Sequence, residues 1–135
     1  MTWDETFDLA KKMTRLENGQ QIYGFTMFVN SALRDNSLSV PVMDPKEDKL
    51  YGAEQWALIF NNFRRFFEIP GNSWKDQDKM FSQGKAAMMV DLITSHGAFT
   101  KAGVNWDIAS LPVYKEKPGV GSRINYDFYF ITSTS

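Results

Sequence analysis

Hydrophobic positions along this chain recur with two different periods, and each change of period marks a new element. Trp3, Phe7, Ala10 and Met13 fall on one helical stripe that Leu9 and Leu16 widen. Thr2 and Glu5 stand at capping-box spacing, where the hydroxyl accepts from the N3 amide and the carboxylate returns to the cap amide. A helix starting at Thr2 is expected, with Asn18-Gly19 as its C-terminal stop. A second helix is expected over 51–68, where Trp56, Ile59, Phe60, Phe63 and Phe67 define a broad apolar face and Ile69-Pro70-Gly71 ends it. Shorter helices are expected over 76–83, with acidic residues favourable to the dipole of its first turn, and over 94–102, ending at Gly103.

The apolar runs between these helices read as strands. Residues 21–29 form the first, and Gly24 inside it signals a bulge or a close approach by another backbone. Met80 to Asp91, MFSQGKAAMMVD, pass from a short amphipathic segment through Gly84 into two alanines and three bulky apolar residues. That order suits a strand over 86–92 packed by helices on both faces. Residues 106–113 form a third strand, closed by Pro112. In 124–131, apolar Ile124, Tyr126, Phe128 and Phe130 alternate with Asn125, Asp127 and Tyr129 as a fourth. Residues 30–50, with Pro41, Pro45 and the run Lys46-Glu47-Asp48-Lys49, read as mostly irregular and solvated.

Composition narrows the classes. The 135 residues suit one domain, and 43% hydrophobic with 15% aromatic content belongs to a globular chain. Fifteen basic against sixteen acidic residues leave a net charge of −1 without a basic patch, which argues against nucleic acid as a partner. Uncharged runs are shorter than a membrane span. The lack of cysteine excludes disulfides and thiolate-bound metals, and the single histidine, His96, excludes a histidine-rich metal centre. No metal or other cofactor is therefore expected. Both ends read as cut from a longer protein: a helix begins at once after Met1, and Thr132-Ser133-Thr134-Ser135 would cap a helix that does not follow.

Candidate chemistry gathers at the ends of the strands. Ser95-His96 has no nucleophile elbow around it, and sequence neighbours rarely present their side chains to each other as a triad does. Asp91 and Asp127 could act as the paired acids of a carbohydrate-processing hydrolase, although a capping role for Asp91 is the plainer reading. Binding is better served. Asn30 follows the first strand, Asp91 with Thr94, Ser95 and His96 follows the second, and Asn125, Tyr126 and Asp127 lie on the last. Mixed aromatic planes, amides and carboxylates are what a sugar needs for its ring faces and hydroxyls.

Three motifs in order carry a resemblance: TWDETFDLAKKMT opening a helix, FSQGKAAM before a strand, and WDIASLPV after it. With these the chain resembles the extracellular solute-binding proteins of ABC importers, of the family-1, maltose-binding-protein-like type, over mainly their second lobe. The resemblance implies an α/β class: one lobe of a periplasmic-binding-protein-like fold, with helices packed around a small mixed sheet and a hinge crossover near 106–113. It implies a non-enzymatic receptor for a small solute, a sugar or oligosaccharide, which docks on ABC permease subunits. It further implies a monomer on the outer side of the cytoplasmic membrane, as a cell-surface lipoprotein or in the periplasm, held to the membrane only by a lipid anchor. The loop after the second strand, Asp91 to His96, lacks the tryptophan that often serves the family as a sugar platform, which implies either a polar or smaller ligand or a platform from elsewhere. A third class of function, a plain protein-interaction module, fits the same composition.

Overall fold

A computed structural model describes residues 1–44, 46–73, 75–91 and 96–122. The capping box forms as the sequence predicts. Thr2 Oγ1 accepts from the Glu5 amide at 3.2 Å and the Glu5 carboxylate accepts from the Thr2 amide at 2.7 Å. Helix α1 (Trp3–Met13) starts there and buries Trp3, Thr6 and Ala10. It stops four residues before the expected signal, with Thr14 as C-cap. Asn18-Gly19 serves a different turn: both residues have positive φ, 50° and 76°, the pair of values a two-residue hairpin turn requires. They join strands β1 (Arg15–Glu17) and β2 (Gln20–Ile22), paired antiparallel.

Gly24 explains why the strand expected over 21–29 breaks in two. A Cβ at Gly24 would stand 1.9 Å from the Ala10 carbonyl oxygen and 2.7 Å from Thr14 Oγ1. Thr14 Oγ1 donates to the Ala10 carbonyl at 2.8 Å and accepts from the Gly24 amide at 2.9 Å. The close backbone approach is thus a junction between the end of α1 and the chain entering β3 (Thr26–Met27). Strand β3 lasts two residues because the chain turns into α2 (Val29–Arg34), so part of the segment expected to be irregular is helical. The rest of that segment contains a short antiparallel hairpin, β4 (Met43–Asp44) with β5 (Lys49–Leu50).

Helix α3 (Ala53–Phe67) occupies the expected span, but its buried stripe is rotated. Ile59, Phe63 and Phe66 are buried, whereas Phe60 and Phe67 are 53% and 43% exposed. Trp3 sits edge-on to Phe63, Phe66 and Phe25, at centroid distances of 5.0, 6.0 and 6.2 Å. This aromatic knot joins α1, α3 and β3 and forms the centre of the core with Ala10, Met27 and Tyr114. Edge-to-face pairs of this kind add about 0.5–1.5 kcal/mol each beyond the area they bury.

Asp76 leads into α4 (Gln77–Ser82), and β6 (Met89–Val90) pairs parallel with β3, Thr26 opposite Met89 and Met27 opposite Val90. Tyr23 and Ala86 extend the contact as an isolated parallel bridge. Helix α5 (His96–Lys101) follows and ends near Gly103 as expected. The segment 106–113, expected as a strand, makes no ladder among the described residues beyond the bridge of Val113 with Thr2. Ile108 is 61% exposed there. The expected strand over 124–131 lies outside the described residues. The class is mixed α/β. In place of one small mixed sheet, the described residues form three separate two-stranded sheets, of which β3–β6 alone is parallel.

Candidate functional site

Strands β3 and β6 run parallel and in register, so their carboxyl ends emerge side by side. Phe28 continues the contact by donating its amide to the Val90 carbonyl at 3.2 Å. In open α/β sheets that edge is where ligands bind. Asn30, exposed in the first turn of α2, and half-buried Asp91, directly after β6, both belong to it. His96 is exposed at the start of α5. Of the residues the sequence singled out, Asp91 and His96 line one cavity, while Asn30 follows the end of β3 and lines none of the cavities described. Thr94, Ser95, Asn125, Tyr126 and Asp127 lie outside the described residues, and so does the proposed pairing of Asp91 with Asp127.

Beside β6 the edge opens into a cavity of about 190 Å³, lined by Phe81 of α4, Met89, Val90 and Asp91, His96 and Phe99 of α5, and Trp106 to Ala109 with Leu111. Its aromatic wall is stacked from several elements. Phe81 meets Phe99 at 4.8 Å, edge-on, and Trp106 lies 6.4 Å from both Phe99 and His96. Trp106 Nε1 donates to Thr100 Oγ1 at 3.3 Å, which fixes the indole against α5. Asp107 follows it in the lining, and its carboxylate accepts from the Ile108 amide at 2.7 Å. A broader, open cleft of about 960 Å³ continues from this cavity, shares Phe81, Met89, Val90 and Trp106 with it, and runs between 82–90 and 102–112. Small residues line much of it, Gly84, Ala86, Ala87, Ala102 and Gly103 among them, so it offers room more than specific contacts.

Electrostatics single out one further residue. The Asp78 carboxyl of α4 is pushed above its usual 3.8, first by burial and then by the charge of Asp91 and a hydrogen bond to it. The helix dipole favours an ionised acid in this first turn, but burial, together with the neighbouring Asp91 carboxylate, outweighs it. Two carboxyls that share a hydrogen bond are closer than the ~5 Å a retaining glycosidase keeps between its acids.

Sequence reasoning missed Trp106, Phe99, Phe81 and Asp78 as site residues. Trp106 read only as the start of a strand. The signal available was an indole next to a carboxylate directly after the Gly103-Val104-Asn105 turn, a side chain placed by a loop and not by a ladder. Among the described residues no three His, Asp or Glu side chains converge as a metal site, and no helix is long and apolar enough to cross a membrane. No known protein-family description matches the chain, and no curated protein matches it either.

Proposed function

We propose that this chain is the ligand-binding lobe of an extracytoplasmic solute receptor serving an ABC importer, with a sugar or oligosaccharide as its ligand. The observation that carries the reading is the aromatic and carboxylate cavity at the carboxyl edge of the β3–β6 pair, where Trp106, His96, Asp91 and Asp107 line one space. Trp106 supplies the apolar platform that the loop after β6 lacks. The order of the three sequence motifs adds support: the first opens α1, the second leads into β6, and the third carries Trp106 to the rim. Strands, helices and cleft would then serve to hold one wall of a trap that a second lobe closes, and the permease subunits would receive the closed form.

A single lobe leaves the opposite side of a bound sugar in water, so the 135-residue chain alone binds weakly. The test is calorimetric titration of the complete receptor with a panel of neutral mono- and oligosaccharides. Trp106→Ala is expected to weaken the best ligand by about tenfold, near 1.4 kcal/mol of lost stacking and burial. Unchanged affinity in Trp106→Ala and Asp91→Asn together would remove this cavity from the reading. Shortened sugars in the titration mixture would instead favour the hydrolase.

A further inference from the structure

Charge is unevenly distributed around the cavity beside β6. Asp91 and Asp107 line it, and among the described residues no Lys or Arg does. Leu92, Ile93, Thr94 and Ser95, which follow Asp91 in the chain, include no charged residue. Lys85, the one basic side chain lining the adjoining cleft among the described residues, lines only the cleft. Behind the wall α4 adds a third carboxyl. Asp78 is held above 3.8 by burial and then by Asp91, and no cation among the described residues opposes the rise. Charges of one sign in a concave wall of low dielectric focus their field into it, and this field attracts a cation and repels an anion.

The aromatic wall has the same preference. The face of an indole carries the negative part of the ring quadrupole and attracts an ammonium group within about 6 Å. Trp106 is held by its edge: Nε1 donates to Thr100 Oγ1 at 3.3 Å, and Thr100 Oγ1 donates to the His96 carbonyl at 3.2 Å. Phe99 and His96 meet the indole at 75° and 53°, so neither ring lies flat on it. Asp107 is exposed next to Trp106 in the chain. Its Oδ1 accepts from the Ile108 amide, and its Oδ2 makes no hydrogen bond or ion pair among the described residues. Asp91 Oδ2 is buried, so the Asp91 charge acts across the wall and not by contact through that oxygen. We propose, as an inference that rests on the sugar-receptor reading, that the ligand is an amino sugar whose protonated amine lies over the Trp106 indole beside Asp107. The cavity of about 190 Å³ is several times the ~30 Å³ share of one water in the liquid, which gives room for the amine end. The open cleft beside it takes the rest of the ligand.

The probes are D-glucosamine, D-glucose and N-acetyl-D-glucosamine, with ethanolamine as an amine that lacks the ring. Each is titrated into the ¹⁵N-labelled 135-residue chain at about pH 7, where such an amine is mostly protonated. The Trp106 indole signal reports binding and makes weak affinities of a single lobe measurable. Saturable shifts are expected, with glucosamine bound about tenfold more tightly than either neutral sugar or ethanolamine. Asp107→Asn is expected to weaken glucosamine about threefold without moving the melting temperature, because the side chain is exposed. Added salt is expected to shrink the preference for the amine. Saturable shifts with glucosamine bound no more tightly than glucose would overturn the amine and leave the sugar reading standing. Ethanolamine bound as tightly as glucosamine would keep the amine seat and remove the sugar. No saturable indole shift with any of the four would overturn both.

Discussion

At the scale of single residues, the chain places its tightest constraint at Gly24. Its α-carbon lies where any side chain would meet the Ala10 carbonyl at 1.9 Å, and that carbonyl is backbone in the last turns of α1. Gly24→Ala must move a helix or a strand, so a loss of about 3 kcal/mol or more is expected in urea unfolding, at the upper end for overpacking. Two aspartates give opposite pH signatures. Hydrogen bonds from Arg65 and then Lys115 hold the Asp4 carboxyl below 3.8. Its contribution is therefore present above 3.8 and is lost as pH falls through the lowered value. Asp78 is raised above 3.8 by burial and by Asp91. Its native form binds the extra proton, so the stability it brings is complete below 3.8 and disappears as pH rises through the raised value. Asp78→Asn should therefore be more stable than the parent at neutral pH, and the difference should shrink as unfolding is followed down to about pH 3. A difference that grows on acidification would contradict the carboxyl pairing.

At the scale of elements, α3 shows what a sequence can and cannot say. Its existence follows from fifteen residues of helical period, and its burial stripe does not, because Phe60, Phe63, Phe66 and Phe67 offer two overlapping faces. The choice between them is made by Trp3, which stands edge-on to Phe63 and Phe66 from another helix. Phe66→Ala, at a position with no exposure, is expected to cost about 3–5 kcal/mol of stability, and Phe67→Ala, at 43% exposure, less than ~1 kcal/mol. Chemical denaturation of the two variants side by side checks the rotation of the stripe. Local chemistry was legible for the same reason throughout. The Thr2–Glu5 capping box and the Gly24 contact are written in a few neighbouring residues. Asn18-Gly19 was ambiguous because the same pair stops a helix or turns a hairpin, and only the cross-strand partner, Gln21 opposite Leu16, decides. The strand expected over 106–113 failed on the same account: an alternating apolar segment needs a neighbour to pair with, and the described residues give it one bridge. Asn30 and Asp91 could be named from sequence as loop residues, but their common edge depends on the parallel register of β3 and β6.

At the scale of the whole molecule, the buried core and the wall that carries Trp106 are built from largely different residues. Trp3, Phe25, Ile59, Phe63 and Phe66 concentrate burial around α1, α3 and β3. The wall that carries Trp106 instead hangs on Thr100 through one side-chain hydrogen bond and on Met1 and Trp3 through the backbone hydrogen bonds of Val113. Local opening costs least where apolar contacts are few and backbone amides lack partners. Amide exchange should therefore be slowest in α1, α3 and the amides of Tyr23, Thr26 and Phe28 that bond to the segment around β6. It should be fast over 104–111. A ligand that stacks on Trp106 must order this wall at an entropic cost, which lowers its apparent affinity and shows as added protection there. Exchange measured with and without a saturating ligand of the proposed site tests both expectations. Slowed exchange over 104–111 with unchanged rates in α1 and α3 is the expected pattern. Uniform slowing across the chain would mean that the ligand stabilises the fold as one unit and that the Trp106 wall is no softer than the core.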